Sequence, residues 1–209
     1  NHDRSVVGGF RLVLRTPILI GAFLADLNAT VLAMPVAMFP VINSEKFGGS
    51  PVTLGLLLPT LALGGVLVGA LSGRITRSAR PGILMLVGGF IWAVALASFA
   101  AINVFWIAIL FLALAGAADS VSVIARGTIV QRVTPDAYRG RVNAVDFVVG
   151  GGGPQLGNVR AGLVAAITSG SESMILGGIA AAIGTVVLTL ATPSIRRFRL
   201  DPQPEPVDA

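Results

Sequence analysis

Residues 52–71 and 82–101 each run for 20 positions without a charged side chain, and only ten residues separate the two runs. Twenty residues coiled as a helix reach about 30 Å, the thickness of bilayer hydrocarbon. Lipid admits only backbones that satisfy their own hydrogen bonds, which means helices or closed barrels. No segment keeps up the apolar–polar alternation of barrel strands, so helices are expected. Composition supports a membrane solvent. Charged residues make up 12% of the 209, against about 25% in a typical soluble domain, and mean hydropathy is +0.85. A chain of this length has no spare layers with which to bury such helices in a water-soluble core. Its 26 glycines suit close packing of membrane helices.

Apolar runs of spanning length occur at residues 17–42, 52–73, 82–101, 104–131, 142–167 and 174–191. The expected fold is therefore an all-α membrane protein with a six-helix bundle over residues 17–192. The third and fourth spans should meet in a tight hairpin at Ile102 and Asn103. Residues 1–16 read as a polar segment continuing from a longer chain, since the sequence opens on Asn1. Residues 193–209, ending in "DPQPEPVDA", are acidic and proline-rich and are expected to be a disordered tail.

Basic residues assign the sides. Arg4, Arg11 and Arg15 precede the first span. Arg74, Arg77 and Arg80 fall in "GRITRSARPG", Arg132, Arg139 and Arg141 in the fourth connector, and Arg196, Arg197 and Arg199 after the last span. These twelve all fall on one side of a six-span topology, and only Lys46 falls on the other. Short loops rich in Arg stay cytoplasmic, so both ends are expected in the cytoplasm of a multi-pass cell-membrane protein whose first partner is the lipid bilayer. The net charge of +5 is spread over four connectors, so no nucleic-acid surface is expected. With no cysteine and His2 as the only histidine, no metal site, cofactor or serine–histidine chemistry is expected, and an enzyme is not anticipated.

The connector after the second span resembles the cytoplasmic motif G-x-x-x-D-R-x-G-R-R of the major facilitator superfamily. Gly69, Arg74 and Arg77 match it, while Gly73, Thr76 and Ser78 depart from it. "RSARPGILML" and "TIVQRVTPDAYRGRVNAV" resemble the enterobactin-exporting branch, and Gly153-Pro154-x-x-Gly157 resembles the antiporter signature G-P-x-x-G. The resemblance implies the C-terminal half of a twelve-helix, proton-driven exporter, made of two inverted three-helix repeats with substrate near the midplane. Its implied partners are protons, a small-molecule substrate such as an enterobactin-type siderophore, and a missing N-terminal six-helix half. A multidrug efflux antiporter remains an alternative, as does a non-transporting subunit or inactive half.

Five charges fall inside the spans, where each costs roughly 2.5–3.5 kcal/mol at the bilayer centre. Asp26 lies close to Asn28, Thr30 and the helix-breaking Pro35, an arrangement suited to a proton or substrate site or to a structural hydrogen bond. Arg126 and Asp146 sit ten residues to either side of Asp136, so a salt bridge across antiparallel helices is expected, more as a latch than as a substrate contact. Asp119 lies two turns before Arg126 with Ser122 between them, making it a second proton candidate or part of a network holding Arg126. Arg160, near Gln155 and Asn158, would attract an anionic substrate or snorkel to headgroups. Asn28, Ser122, Gln155 and Arg160 are the cavity candidates. Arg74, Arg77, Arg80, Gly153, Pro154 and Gly157 join Arg126 and Asp146 as structural or gating candidates. Gly65, Gly69 and Gly73 should form one smooth packing face, and Gly150–Gly153 before Pro154 should allow close approach of a neighbour or a bend of the fifth helix during gating.

Overall fold

A computed structural model describes residues 6–200 of the chain; His2, Arg4 and residues 201–209 of the tail lie outside the described residues. Within them all regular structure is helical. A short α1 (Val6–Arg15) leads into α2 (Pro17–Ala33). A 3-10 turn at Val36–Met38 then joins α2 to α3 (Phe39–Lys46), so that the two form one broken rod. There follow α4 (Pro51–Gly69), the short α5 (Ser72–Thr76), α6 (Pro81–Ala101), α7 (Phe105–Val133), α8 (Arg139–Ala165), α9 (Gly170–Ala191) and the short α10 (Pro193–Arg197). Pro17, Pro51, Pro81 and Pro193 open their helices at positions where a missing N–H costs nothing. Ser50 and Ser169 cap α4 and α9, their hydroxyls accepting from the Val52 and Glu172 N–H groups at 3.2 and 3.0 Å. Between α3 and α4 the chain turns on Gly48 and Gly49, at φ +75° and +68°, a region side chains rarely enter.

The broken rod, α4, α6, α7 and α9 are long and apolar enough to cross a membrane. The remaining rod, α8, has 27 residues, about 40 Å of helix. It carries Arg141, Asp146 and Arg160, which lower its apolarity, and it packs on α1, α2 and α9. The third and fourth spans do meet tightly, with α6 ending at Ala101 and α7 beginning at Phe105. Packing follows a symmetry. The first rod lies against the fifth and sixth, the fourth against the second and third, and the third against the sixth. Exchanging first with fourth, second with fifth and third with sixth leaves that pattern unchanged. An odd number of crossings per repeat inverts the second repeat relative to the first.

Apolar clusters close the bundle at both ends. Phe39, Ile42, Leu96, Phe99 and Leu112 fill one end. Met85, Ile129 and Ile195, with Leu19, Phe23, Val130 and Val142, fill the end that carries the arginines. The outside is oily: Leu67 is 70% exposed and Phe147 81%, which lipid accommodates and water does not.

Two expectations are corrected here. The segment 193–200 is not disordered: α10 buries Ile195 completely, and the Leu200 N–H donates to the Ala79 carbonyl at 3.0 Å. The close helix contact of α4 falls at Gly64 and Gly65, whose added Cβ atoms would collide with the Ala113 carbonyl and the Ser120 hydroxyl of α7, while Gly69 and Gly73 face open space. The reason is that α4 ends at Gly69, so a four-residue glycine ladder has no straight helix to run along. Across Gly150, Gly151, Gly152 and Pro154, α8 is one continuous helix.

Candidate functional site

A polar layer lies between the two apolar ends. Along α2 it begins after Phe23 and ends before Ala33, and along α7 it falls between Ala118 and Ile129. Its centre is Arg126, only 8% exposed. The Arg126 guanidinium donates through Nη1 to Asp146 Oδ1 of α8, and its Nε lies 3.5 Å from Asp26 Oδ1 of α2. The Asp26 contact is an ion pair without hydrogen-bond geometry. Arg126 Nε and Asp26 Oδ2 are both buried without a hydrogen-bond partner among the described residues. Asp119, one helical stretch further in on α7, lies within electrostatic reach of both Asp26 and Arg126. Two carboxylates therefore face one guanidinium, with a third on the same helix as Arg126. Equal depth in the sequence pairs Arg126 with Asp146; the third member, Asp26, comes from a helix 100 residues away, a partnership no local spacing reveals.

A second polar assembly closes the break in the first rod. Pro35 has no N–H, so the carbonyl four residues before it, Val31, lacks its helical donor. Arg160 of α8 supplies one, its Nε donating to that carbonyl at 3.1 Å, while its Nη1 reaches the Ser173 carbonyl of α9 at 3.4 Å. Asn158 Oδ1 accepts from the Ala37 N–H at 3.1 Å on the far side of the break. Space for this comes from small residues: a Cβ on Gly157 would strike the Thr30 carbonyl, and one on Gly177 the Arg160 guanidinium. Arg160 is thus engaged by backbone carbonyls of α2 and α9. The sequence offered a clue in Pro35 and its orphaned carbonyl, but none to the donor.

The other candidates fall as follows. Asn28 donates from α2 to the Ala181 carbonyl at 2.9 Å and to Thr185 Oγ1 at 3.1 Å, both on α9. Ser122 donates to the Met85 carbonyl of α6 at 3.1 Å, so it leaves the Asp119–Arg126 stripe for a neighbouring helix. Gln155 is exposed on α8; Gly153 is buried against Thr30, and Pro154 between them is half-buried. Arg74, Arg77 and Arg80 are exposed on α5 and the connector after it.

Sequence reasoning missed the opposite end. Glu45 accepts from the Gly170 and Ser171 N–H groups at 2.7 and 3.0 Å and from Ser171 Oγ at 2.7 Å, placing a carboxylate on the positive end of α9. Its neighbour Lys46 donates to the Ala100 carbonyl, placing an ammonium on the negative end of α6. Adjacent opposite charges at the end of a span are the only sequence sign of this.

Comparison with known proteins adds the family. Enterobactin exporters EntS from Escherichia coli O81 (strain ED1a), Shigella boydii serotype 18 and Escherichia fergusonii are each 30% identical over 205 residues, 95% of this chain. The chain spans about half, 48%, of the length of these relatives. No solved structure matches it. The sequence profile of the Major Facilitator Superfamily matches residues 9–207, and with its all-helical bundle of membrane-spanning rods the chain belongs to that superfamily.

Proposed function

We propose that this chain is the C-terminal half of a secondary active exporter, working with a second six-helix half and exchanging protons for a small organic molecule. The observation that carries the coupling is the unpartnered Asp26 Oδ2 beside Arg126, with Asp119 nearby. A proton on Asp26 supplies the hydrogen that this oxygen lacks and weakens its pull on Arg126. The guanidinium then rests on Asp146 alone, so protonation is read out as a change in what ties α7 to α2 and α8. Asp119 serves as the second acceptor on the path. The 30% identity to enterobactin exporters supports an enterobactin-type siderophore as the substrate. The outward apolar faces of α4 and α8 leave room for the other half, and both ends of the chain sit in the cytoplasm of the cell membrane.

Two measurements test this in cells limited for iron. Deleting the gene should lower siderophore in the medium; equal secretion with and without it would leave general efflux of other molecules as the better reading. Asp26→Asn should lower export at least tenfold while the protein reaches the membrane in normal amount. Unchanged export by that variant removes Asp26 from coupling whatever the substrate proves to be.

A further inference from the structure

The seam between α6 and α9 opens outward as a groove of about 430 Å³, walled by Leu86 and Phe90 on one helix and Val186 and Leu190 on the other. Phe90, Val186 and Leu190 are exposed, so the described residues leave them to whatever surrounds the bundle. A second groove of about 350 Å³, bordered by Val94 and Ile179, continues along the same seam. End to end the two run from Ile83 to Ala101, about 27 Å of helix, which is nearly the depth of the hydrocarbon. They differ in one respect. The first ends at a cation, Arg196, and the second has none.

Arg196 is held there by the backbone. Its neighbour Ile195 is wholly buried, occupying the space that a side chain at Gly21 or Gly82 would need. Three residues past α10, the Leu200 N–H is bonded to the Ala79 carbonyl. The backbone of Arg196 is therefore fixed beside the groove that its side chain helps to line.

We infer that the Arg196 end of the α6–α9 seam binds one anionic phospholipid, with its phosphate on Arg196 and an acyl chain along Phe90 and Val186. An apolar trough with a guanidinium at one end complements an amphiphile with a negative head, and Arg matches phosphate oxygens in a two-pronged geometry. A zwitterionic lipid brings its own ammonium to the phosphate and gains less from Arg196. The uncharged half of the seam accepts chains without preference for the head, so selectivity is confined to one leaflet. This holds whatever molecule is transported.

The test is native mass spectrometry of the full protein in mild detergent, titrated with phosphatidylglycerol or phosphatidylcholine carrying the same chains. Wild type should take up its first phosphatidylglycerol about five times more tightly than phosphatidylcholine, the difference one basic residue makes near an anionic head. Arg196→Gln should bring that ratio close to one. Arg197→Gln, exposed on the same turn but outside the groove, should leave it unchanged. Val186→Trp, filling the trough, should weaken binding of both lipids, with thermal melting confirming that each variant is folded. Equal losses in the two arginine variants would reveal diffuse attraction and overturn the site. So would lipid binding untouched by Val186→Trp, or a doubled mass that this variant dissociates, which would put a second copy on the seam.

Discussion

A guanidinium taken out of water needs partners on more than one side, and Arg126 finds them on α2 and α8. The two are unequal: Asp146 accepts a hydrogen bond, whereas Asp26 is only near. Removing Arg126 leaves Asp26, Asp146 and the neighbouring Asp119 without any countercharge. Arg126→Gln should therefore destabilise the bundle by about 3 kcal/mol, the usual cost of orphaning buried charge. Asp146→Asn should cost less than half as much, because Arg126 still faces Asp26. Thermal melting of the purified variants ranks them, and equal losses would contradict Asp26 as a second partner of Arg126. A reversed pair, Arg126→Asp with Asp146→Arg, should not recover stability, because the new carboxylate at 126 would confront Asp26. Sequence reading saw half of this. Arg126 and Asp146 flank one short turn, so antiparallel packing brings them level; Asp26 reaches the same cluster only through tertiary packing between distant helices.

Helix by helix, the polar groups of this bundle repair ends and breaks. Val31 loses its backbone donor to Pro35, and Arg160 replaces it from α8. Restoring the N–H with Pro35→Ala should let α2 run on through the break and make Arg160 redundant there. Arg160→Gln alone should then cost about 1.5–3 kcal/mol, the range for a hydrogen bond to a charged group. In the Pro35→Ala background the same substitution should cost at least about 1 kcal/mol less, a coupling that a double-mutant cycle measures directly. Purely additive losses would mean that Arg160 serves something other than the break. At the far end, Glu45→Ala strips three hydrogen bonds from the first turn of α9. It should cost about 1–2 kcal/mol, as loss of a helix cap does, and should speed hydrogen exchange at Gly170 and Ser171 while sparing the middle of α9. The rod break was legible, because proline announces itself. The donor was not, since Arg160 offered a substrate role and a headgroup role equally well. The glycines were legible only in part: spacing alone favours Gly65, Gly69 and Gly73, and Gly65 does pack on α7 beside Gly64, but α4 ends at Gly69 and the last two meet nothing.

At the scale of the whole molecule, two patterns in the sequence constrain the fold before any contact is known. Uncharged runs count the rods, and six crossings return the chain to the side where it began. The one rod that hydropathy undersells is α8, whose charges are the ones the interior uses: Asp146 binds Arg126 and Arg160 mends the first rod. The arginines then say which side is which. Arg74, Arg77 and Arg80 share an end with Arg196 and Arg197, tied together by the Leu200–Ala79 bond. Glu45 and the start of α9 share the other. Because the chain has no cysteine, single cysteines report their own position. A thiol placed at the exposed Arg77 should resist a membrane-impermeant maleimide added to intact cells and react once the cells are opened. One placed at the exposed Thr168, in the short link between α8 and α9, should react from outside. The opposite result would invert the bundle, set its arginine-rich end against the outer leaflet, and move the phospholipid site on Arg196 to the other face of the membrane.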